Sequence, residues 1–173
     1  MLGSRRLGRP ALPAVVACAL ALAVAACGDP EPADGPSGAR TATVTRVTDG
    51  DTIRLAGLGR VRLIGMDTPE VHGQAECFGA EASEFVEELL PPATEVRYRL
   101  GTEERDRFGR ALAYVWLPDG RFLNRLLVSK GYAQPLTIPP NVEYADRFRK
   151  DARRARQAGR GLWGRDGCAA QGR

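Results

Sequence analysis

The order of the secondary-structure patterns constrains the fold of this chain more than any other feature. An amphipathic helical segment at 79–90, ended by Pro91 and Pro92, interrupts a series of short strand-like segments. Alternating or β-branched residues predict five strands, at 43–48, 52–55, 60–64, 96–100 and 110–117. Three strands, a helix and two strands are the order expected of a small barrel rather than of a helical bundle.

The predicted fold class is α+β, mainly β: a five-stranded Greek-key barrel of the OB type with three helices. The second helix is expected at 124–130 with Gly131 as its C-cap, and the third at 143–157. A flat α+β sandwich is the alternative. The folded domain should occupy residues 42–168, which suffice for one hydrophobic core but not for two.

Residues 1–26 are predicted to be a lipoprotein signal peptide. Three early arginines precede an apolar stretch at 14–26 that is too short to span a membrane. The stretch ends in Val24-Ala25-Ala26-Cys27, which resembles a bacterial lipobox. Cys27 is therefore the expected lipidation site, which would anchor the protein to the membrane on the extracytoplasmic side. An ordinary cleaved signal, with Cys27 incidental, is the alternative.

The segments that flank the domain have simple compositions. Residues 27–41 are rich in proline and glycine and predict a flexible linker, and 169–173 form a short tail. Cys77 and Cys168 remain in the domain, and in an exported protein they predict a disulfide that closes a loop of about 90 residues. Two free thiols are the alternative.

The formal net charge of +4 arises largely from the predicted signal peptide. Removal of Arg5, Arg6 and Arg9 leaves 22 basic residues against 21 acidic ones. The mature chain is therefore nearly neutral, and any surface that attracts nucleic acid must be a local one. The basic residues of the last helix are interpreted as a solvated face.

Charged residues gather in three short clusters, which we interpret as one site. The clusters are Asp49-Gly50-Asp51-Thr52, Arg62 to Glu70, and Asp106-Arg107-Phe108-Gly109-Arg110. Aspartates with a nearby backbone carbonyl suit Ca²⁺ or Mg²⁺, with water and phosphate completing the shell. The expected affinity is modest, on the order of 10⁻⁴ to 10⁻³ M. Taken alone, the Asp-Gly-Asp segment would be ordinary turn chemistry.

Arginines from two different strands favour a phosphate substrate. Arg62 and Arg110 can hold phosphate oxygens in pairs of hydrogen bonds, and Glu70 can take a proton from an attacking water. Together with a metal, these groups describe hydrolysis of a phosphate ester. The single histidine, His72, argues against histidine-based nucleases and zinc sites.

These three clusters, in this order and spacing, resemble the staphylococcal nuclease (thermonuclease) family over roughly residues 42–163. The resemblance implies an OB barrel with three helices and a Ca²⁺ cofactor. It implies that Asp51 and Asp67 bind Ca²⁺ through their side chains and Thr68 through its carbonyl. Arg62 and Arg110 would hold the scissile phosphate, with Glu70 as general base.

The same resemblance implies an endonuclease that cleaves DNA and RNA, single strands being favoured, and leaves 3′-phosphates. Arg107, Phe108 and Tyr132 would contact the substrate. Arg107-Phe108 stands where the type member has Lys-Tyr, so the charge is kept and a hydroxyl is lost. A non-catalytic OB module that binds nucleic acid or another polyanion is the alternative function. No protein partner is evident, and a monomer is expected.

Overall fold

The computed structural model describes residues 37–71, 73, 75–164 and 168. The predicted signal peptide, Cys27, most of the linker, His72 and the tail at 169–173 lie outside the described residues. Among the described residues, no helix combines the length and apolar composition needed to cross a membrane.

Five strands form a closed barrel: β1 (Arg40–Val47), β2 (Thr52–Leu55), β3 (Gly59–Leu63), β5 (Glu95–Arg105) and β6 (Ala111–Trp116). Their order is β1-β2-β3-β6-β5, with β5 pairing back onto β1. All pairings in the barrel are antiparallel except that of β3 with β6, which is parallel. A short strand β4 (Met66–Asp67) pairs outside the barrel with β7 (Gln134–Pro135).

Within the described residues, three α-helices accompany the barrel, and a short 3₁₀ turn follows α3 at Gly161–Trp163. Helix α1 spans Gly79–Leu89, α2 spans Leu123–Lys130 and α3 spans Ala145–Gln157. Gly131 caps α2 at a φ of 83°, a left-handed conformation that glycine adopts without steric cost. The second and third helices pack against each other.

The predicted OB-type barrel with three helices is confirmed. The flat sandwich is excluded, because β1 and β5 pair from Arg40↔Tyr98 to Thr43↔Glu95 and thereby close the sheet. The fourth predicted strand continues to Arg105, beyond the alternating segment at 96–100. The small β4-β7 sheet was not predicted, since two-residue strands carry no period that a sequence pattern can show.

The side chains that fill the barrel interior alternate with more exposed ones along β3 and at the start of β5, whereas β6 is buried at nearly every position. Ile53 on β2 and Val61 and Leu63 on β3 are buried, and Phe148 of α3 is completely buried against the turn that follows β3. Alternation of this kind is what places the remaining strand residues on the outer surface.

Asn124, at the start of α2, ties that helix to two strands. Its side chain is completely buried, accepts a hydrogen bond from Val115 N at 3.0 Å and donates to Ile64 O and Ala113 O at 3.0 and 3.2 Å. Every polar atom of the amide is thus satisfied inside the core. The contact fixes α2 at the end of the β3-β6 pair.

The predicted disulfide between Cys77 and Cys168 is present, with the two Cα atoms 5.6 Å apart. It joins the segment just before α1 to the C-terminal part of the domain. The bond closes a loop across a sequence separation of 91.

A candidate phosphodiesterase site on the outer face of the barrel

Strand pairing brings the first two charged clusters together. Thr52 on β2 is paired with Arg62 on β3, and Leu63 N donates to Asp51 O at 2.9 Å. Because Val61 and Leu63 point into the core, Arg62 between them points to the outer face. Its guanidinium reaches Asp51 at the start of β2.

Asp51 is a buried carboxylate that is held by hydrogen bonds. Only 3% of the residue is exposed. One oxygen, Oδ2, accepts from Thr68 N at 3.1 Å and Thr68 Oγ1 at 3.2 Å, and Oδ1 accepts from Thr52 Oγ1 at 3.1 Å. Burial raises the pKa of Asp51, and the charge of Arg62 offsets only part of that rise.

Asp49 has the loop-fixing role expected of a turn carboxylate. Its Oδ1 accepts the backbone N–H of Asp51 at 3.1 Å, a bond that closes an Asx turn. The turn orients the Asp51 side chain toward Arg62 and Thr68.

Arg62 lies between two carboxylates. Nη1 forms an ion pair with Asp51 Oδ1, and Nη2 forms one with Asp67 Oδ1 on β4. Burial lowers the pKa of Arg62, but the charges and hydrogen bonds of Asp51 and Asp67 outweigh that effect and leave the pKa raised. The pairing of β4 with β7 holds Asp67 in place, with Asp67 opposite Gln134.

The oxygen donors of Asp51, Asp67 and Thr68 have the chemistry that a divalent cation such as Ca²⁺ requires. Within the described residues, no group of three or more acidic, histidine or cysteine side chains is placed to hold a metal ion. The predicted ligand set needs only two carboxylates and one carbonyl, and Asp51 and Asp67 already face a common cationic group, Arg62. Hard oxygen donors that share one cation are compatible with Ca²⁺ whose shell is completed by water and phosphate.

The third cluster is positioned by the parallel pairing of β3 with β6, in which Val61 is opposite Ala111. Arg110, just before β6, therefore lies beside the strand that carries Arg62. Asp106 accepts from Arg110 N at 2.9 Å and from Arg110 Nε at 2.7 Å. Burial raises the pKa of Asp106, but the bonds from Arg110 and from Phe108 N outweigh it and lower the pKa.

A cleft of about 470 Å³ contains both arginines. Leu112 of β6 lies on its floor, and Leu136 and Ile138, from the segment between β7 and α3, line it together with Phe108. Its full lining is Arg62, Leu63, Ile64, Gly65, Met66, Glu103, Asp106, Arg107, Phe108, Arg110, Leu112, Leu136, Ile138 and Asn141. The cleft thus combines two cationic groups with an apolar wall.

Phe108 and Arg107 are placed at the cleft as predicted for substrate contacts. Phe108 is 59% exposed, and the Arg107 guanidinium lies over its ring at 4.8 Å from the centroid. The Arg110 guanidinium lies 5.7 Å from the same ring. Exposure of a large aromatic ring beside two cations is typical of a surface that receives a ligand.

Glu70 lies in the loop between β4 and α1 and is exposed. Its backbone is fixed: Glu70 N donates to Glu76 Oε2 at 3.1 Å, and Glu70 O accepts from Glu76 N at 2.8 Å. Gly79 packs so closely on this loop that an added Cβ would lie 2.6 Å from Glu70 O. The loop therefore holds Glu70 three residues beyond Asp67, and its carboxylate forms no hydrogen bond within the described part of the chain.

Tyr132 is not brought to the cleft. Its ring stacks on Phe85 of α1, with centroids 4.2 Å apart, and lies 5.5 Å from Phe78. The half-buried Tyr132 packs against the core, between the end of α2 and α1. A role for Tyr132 in substrate binding stays a prediction.

Asp106 and Asn141 also line the cleft, and neither was predicted individually as a site residue. Asn141 Oδ1 accepts from Glu103 N at 3.0 Å and Asn141 Nδ2 donates to Glu103 O at 2.9 Å, which fastens the apolar wall to β5. The spacing Asp106-x-x-Gly109-Arg110 is a signal for the first residue, because a turn aspartate commonly accepts nearby backbone N–H groups. No local pattern marks Asn141, whose partner lies 38 residues away.

The chain is similar to known proteins of one family. The family model described as Staphylococcal nuclease homologue matches residues 60–165. The thermonuclease of Staphylococcus hyicus is 36% identical over 130 residues, which cover 72% of this chain and 76% of that protein. The thermonuclease of Staphylococcus intermedius is 38% identical over 128 residues, with 70% and 75% covered.

A third relative is the SPbeta prophage-derived endonuclease YokF of Bacillus subtilis, which is 33% identical over 133 residues. The match covers 72% of this chain and 44% of that longer protein. The family model covers more than half of the chain, and the two thermonucleases match it over most of their own length. By its barrel, its site and these matches, the chain belongs to the staphylococcal nuclease family.

Proposed function

We propose that this chain is a calcium-dependent endonuclease that hydrolyses phosphodiester bonds in DNA and RNA. The observation that carries the proposal is the convergence of Arg62 and Arg110, from two strands, on one cleft beside the Asp51 and Asp67 carboxylates. Relatives named thermonuclease and endonuclease support the same reaction class.

The two arginines bind the scissile phosphate in this proposal. Asp106 engages Arg110 through Nε, and within the described residues no hydrogen bond engages its Nη atoms. Those two donors can hold phosphoryl oxygens and stabilise the charge that develops on the pentacoordinate phosphorus. Arg62 lines the same cleft and contributes its guanidinium there.

Glu70 accepts the proton of the attacking water. A bond forms between the water oxygen and phosphorus, and the P–O5′ bond breaks. The 5′ oxygen leaves with the electron pair of that bond and takes a proton from solvent to become a hydroxyl, so that the 3′ side keeps the phosphate. The exposed carboxylate on a loop with a fixed backbone suits this role, because a base must be reachable by water and still held in place.

Asp51, Asp67 and the carbonyl of Thr68 would hold Ca²⁺. When bound, the ion supplies charge that polarises the phosphate and positions the nucleophile. Thr68 also donates to Asp51 Oδ2 through its N–H and hydroxyl, so that the same residue orients one proposed ligand and provides another.

The apolar wall favours strands whose bases are accessible. Phe108, Leu136 and Ile138 are 59%, 39% and 58% exposed, and all three line the cleft. Unpaired bases can pack on such side chains, whereas paired bases of a duplex cannot reach them. Single-stranded DNA and RNA are therefore the proposed substrates.

We further propose that the protein works outside the cytoplasm, anchored through Cys27. The disulfide between Cys77 and Cys168 supports this location, since such bonds persist in oxidising compartments. Metabolic labelling with a fatty-acid probe tests the anchor: label should be lost in a Cys27→Ala variant and kept in the parent.

Cleavage of denatured DNA and of RNA with calcium and then with EGTA tests the activity. The expected result is cleavage that requires calcium and yields 3′-phosphate ends. Folded protein that binds the strands but cuts under neither condition would instead indicate a binding module. A readout independent of activity is thermal stability, which millimolar calcium should raise in the parent and not in an Asp51→Asn variant.

A further inference from the structure

Three arginines lie opposite one another on the outer face of the barrel, outside the cleft. Arg46 on β1 is paired with Arg54 on β2, and Arg54 is paired with Arg60 on β3. All three are exposed, whereas the strand neighbours Ile53 and Val61 are buried. Directly paired residues of neighbouring strands share a face, so these three side chains form one row, the arginine row.

The arginine row is unfavourable for the folded protein taken alone. Like charges on directly opposite positions destabilise a sheet. Within the described residues, the side chains of Arg46 and Arg54 form no hydrogen bond or ion pair that would offset the repulsion, and Arg60 donates only to a carbonyl. An anionic ligand along the row would relieve this repulsion.

One end of the row touches the cleft. Arg60 Nη2 donates to Phe108 O at 3.5 Å, and Phe108 lines the cleft. From there the row runs across β2 to β1, a span of two strand spacings or about 10 Å. Positive charge therefore continues from Arg107 and Arg110 at the cleft, through Arg60, along the barrel surface.

We propose that the arginine row binds the phosphodiester backbone of the nucleic-acid strand where that strand leaves the cleft. The proposal rests on the proposed function, because the row is read as an extension of the cleft. Guanidinium groups match phosphate oxygens in pairs, and backbone contacts of this kind carry no sequence preference. The ligand is thus a polyanion with regularly repeated phosphates.

The basic face of α3 is a weaker candidate for the same ligand. Lys150 and Arg153 are exposed there, yet α3 packs on α2, and no residue of α3 lines the cleft. The arginine row contacts the cleft through Arg60 and Phe108, whereas none of the described α3 residues lines the cleft. This difference supplies a matched control.

The test is the salt dependence of binding, measured in EGTA so that cleavage is not required. A labelled single-stranded DNA that extends past the cleft is titrated by fluorescence anisotropy with the parent and with an Arg46→Gln/Arg54→Gln variant. Loss of two phosphate contacts should lower the slope of log K against log salt by about 1.4 and weaken binding on the order of tenfold at about 0.05 M salt. The variant should melt no lower than the parent, since it removes like-charge pairs.

The control variant, Lys150→Gln/Arg153→Gln, removes the same charge from α3 and should leave the slope unchanged. An unchanged slope in the Arg46→Gln/Arg54→Gln variant, or an equal fall in the control, would overturn the proposal. So would selective loss of binding to phosphatidylglycerol vesicles without a change for DNA, which would identify a membrane contact. If the slope falls in the Arg46→Gln/Arg54→Gln variant but the parent never cleaves nucleic acid, the arginine row binds phosphate and the proposed nuclease activity is wrong. If the parent cleaves but the slope is unchanged in the variant, the nuclease activity is supported and the role of the arginine row is wrong.

Discussion

Asp51 has the most constrained environment of the charged residues in the site. It is buried, accepts hydrogen bonds from Thr68 and Thr52, and shares Arg62 with Asp67. A carboxylate kept in such surroundings at a cost in stability is typical of a group retained for binding or catalysis. Glu70 contrasts with it, since that carboxylate is exposed and only its backbone is fixed.

The raised pKa of Asp51 predicts how stability depends on pH. Because the folded-state pKa lies above the unfolded value, the favourable contribution is complete below about pH 3.9 and is lost as pH rises through the folded pKa. In EGTA, the stability of the parent relative to Asp51→Asn should therefore fall from pH 4 to pH 7, because only the parent acquires a buried charge at position 51 over this range. Urea denaturation of both proteins at both pH values measures this. A parent that gains stability relative to the variant over this range would show that the ion pair with Arg62 outweighs burial.

Glu70→Gln should lower kcat by about 10²- to 10⁴-fold, because the amide cannot accept the proton of the attacking water. Its affinity for an oligonucleotide and its melting temperature should match those of the parent, since the Glu70 carboxylate forms no hydrogen bond within the described residues. Glu84→Gln, on the exposed side of α1, is the control and should cut at the parental rate. A Glu70→Gln protein that also cuts at that rate would remove Glu70 from the mechanism.

At the scale of elements, the turn between β3 and β4 decides how Asp67 meets Arg62. Gly65 in this turn has a φ of +85°, and its carbonyl accepts from Leu136 N at 3.0 Å. Phe148 of α3 lies directly over it. Gly65 therefore contacts both Leu136 of the apolar wall and Phe148 of α3 directly after the barrel strand β3.

Gly65→Ala should destabilise the domain by about 2 to 4 kcal/mol, the sum of a left-handed alanine and of overpacking. The added Cβ would lie 2.5 Å from Phe148 Cε2, and Phe148 is completely buried and cannot move aside. Gly57→Ala is the matched control: its φ is +75°, but no atom lies within 4 Å of an added Cβ. That variant should lose only about 1 to 2 kcal/mol. If urea denaturation shows that both variants lose the same free energy of unfolding, α3 must shift to make room for the added Cβ.

At the scale of the whole molecule, the barrel is closed by strand pairing and the chain is closed by the disulfide. Cys77 precedes α1 by two residues, and Cys168 follows the 3₁₀ turn at Gly161–Trp163. The bond restricts the unfolded chain from the segment before α1 to the C-terminal part of the domain, a sequence separation of 91, so its effect on stability should be large.

A Cys77→Ser/Cys168→Ser variant should lose about 2 to 5 kcal/mol, and the melting temperature should fall by roughly 10 °C. The parent measured after reduction should show a similar fall. Thiol titration of the unreduced, unfolded chain should find neither of these two sulfhydryls. Recovery of both would mean that the protein folds without the bond.

The sequence by itself determined the five barrel strands and the three helices to within a few residues, and it predicted a set of candidate reactive residues. Alternation along β2 and β3, the proline pair after α1 and Gly131 after α2 act within a few residues, so they can be read directly. The charged clusters could be recognised for the same reason, because Asp51, Arg62, Asp67, Glu70 and Arg110 lie in short motifs.

Only the tertiary structure decided which of these residues meet. The parallel pairing of β3 with β6 brings Arg62 and Arg110 to one cleft, and the hydrogen bonds from Thr68 to Asp51 join residues 17 positions apart. The position of Tyr132 outside the cleft depends on its packing against Phe85. The alignment of the arginine row depends on the register of β1, β2 and β3. Register between distant strands follows from closure of the whole barrel, and a local period contains no information about it.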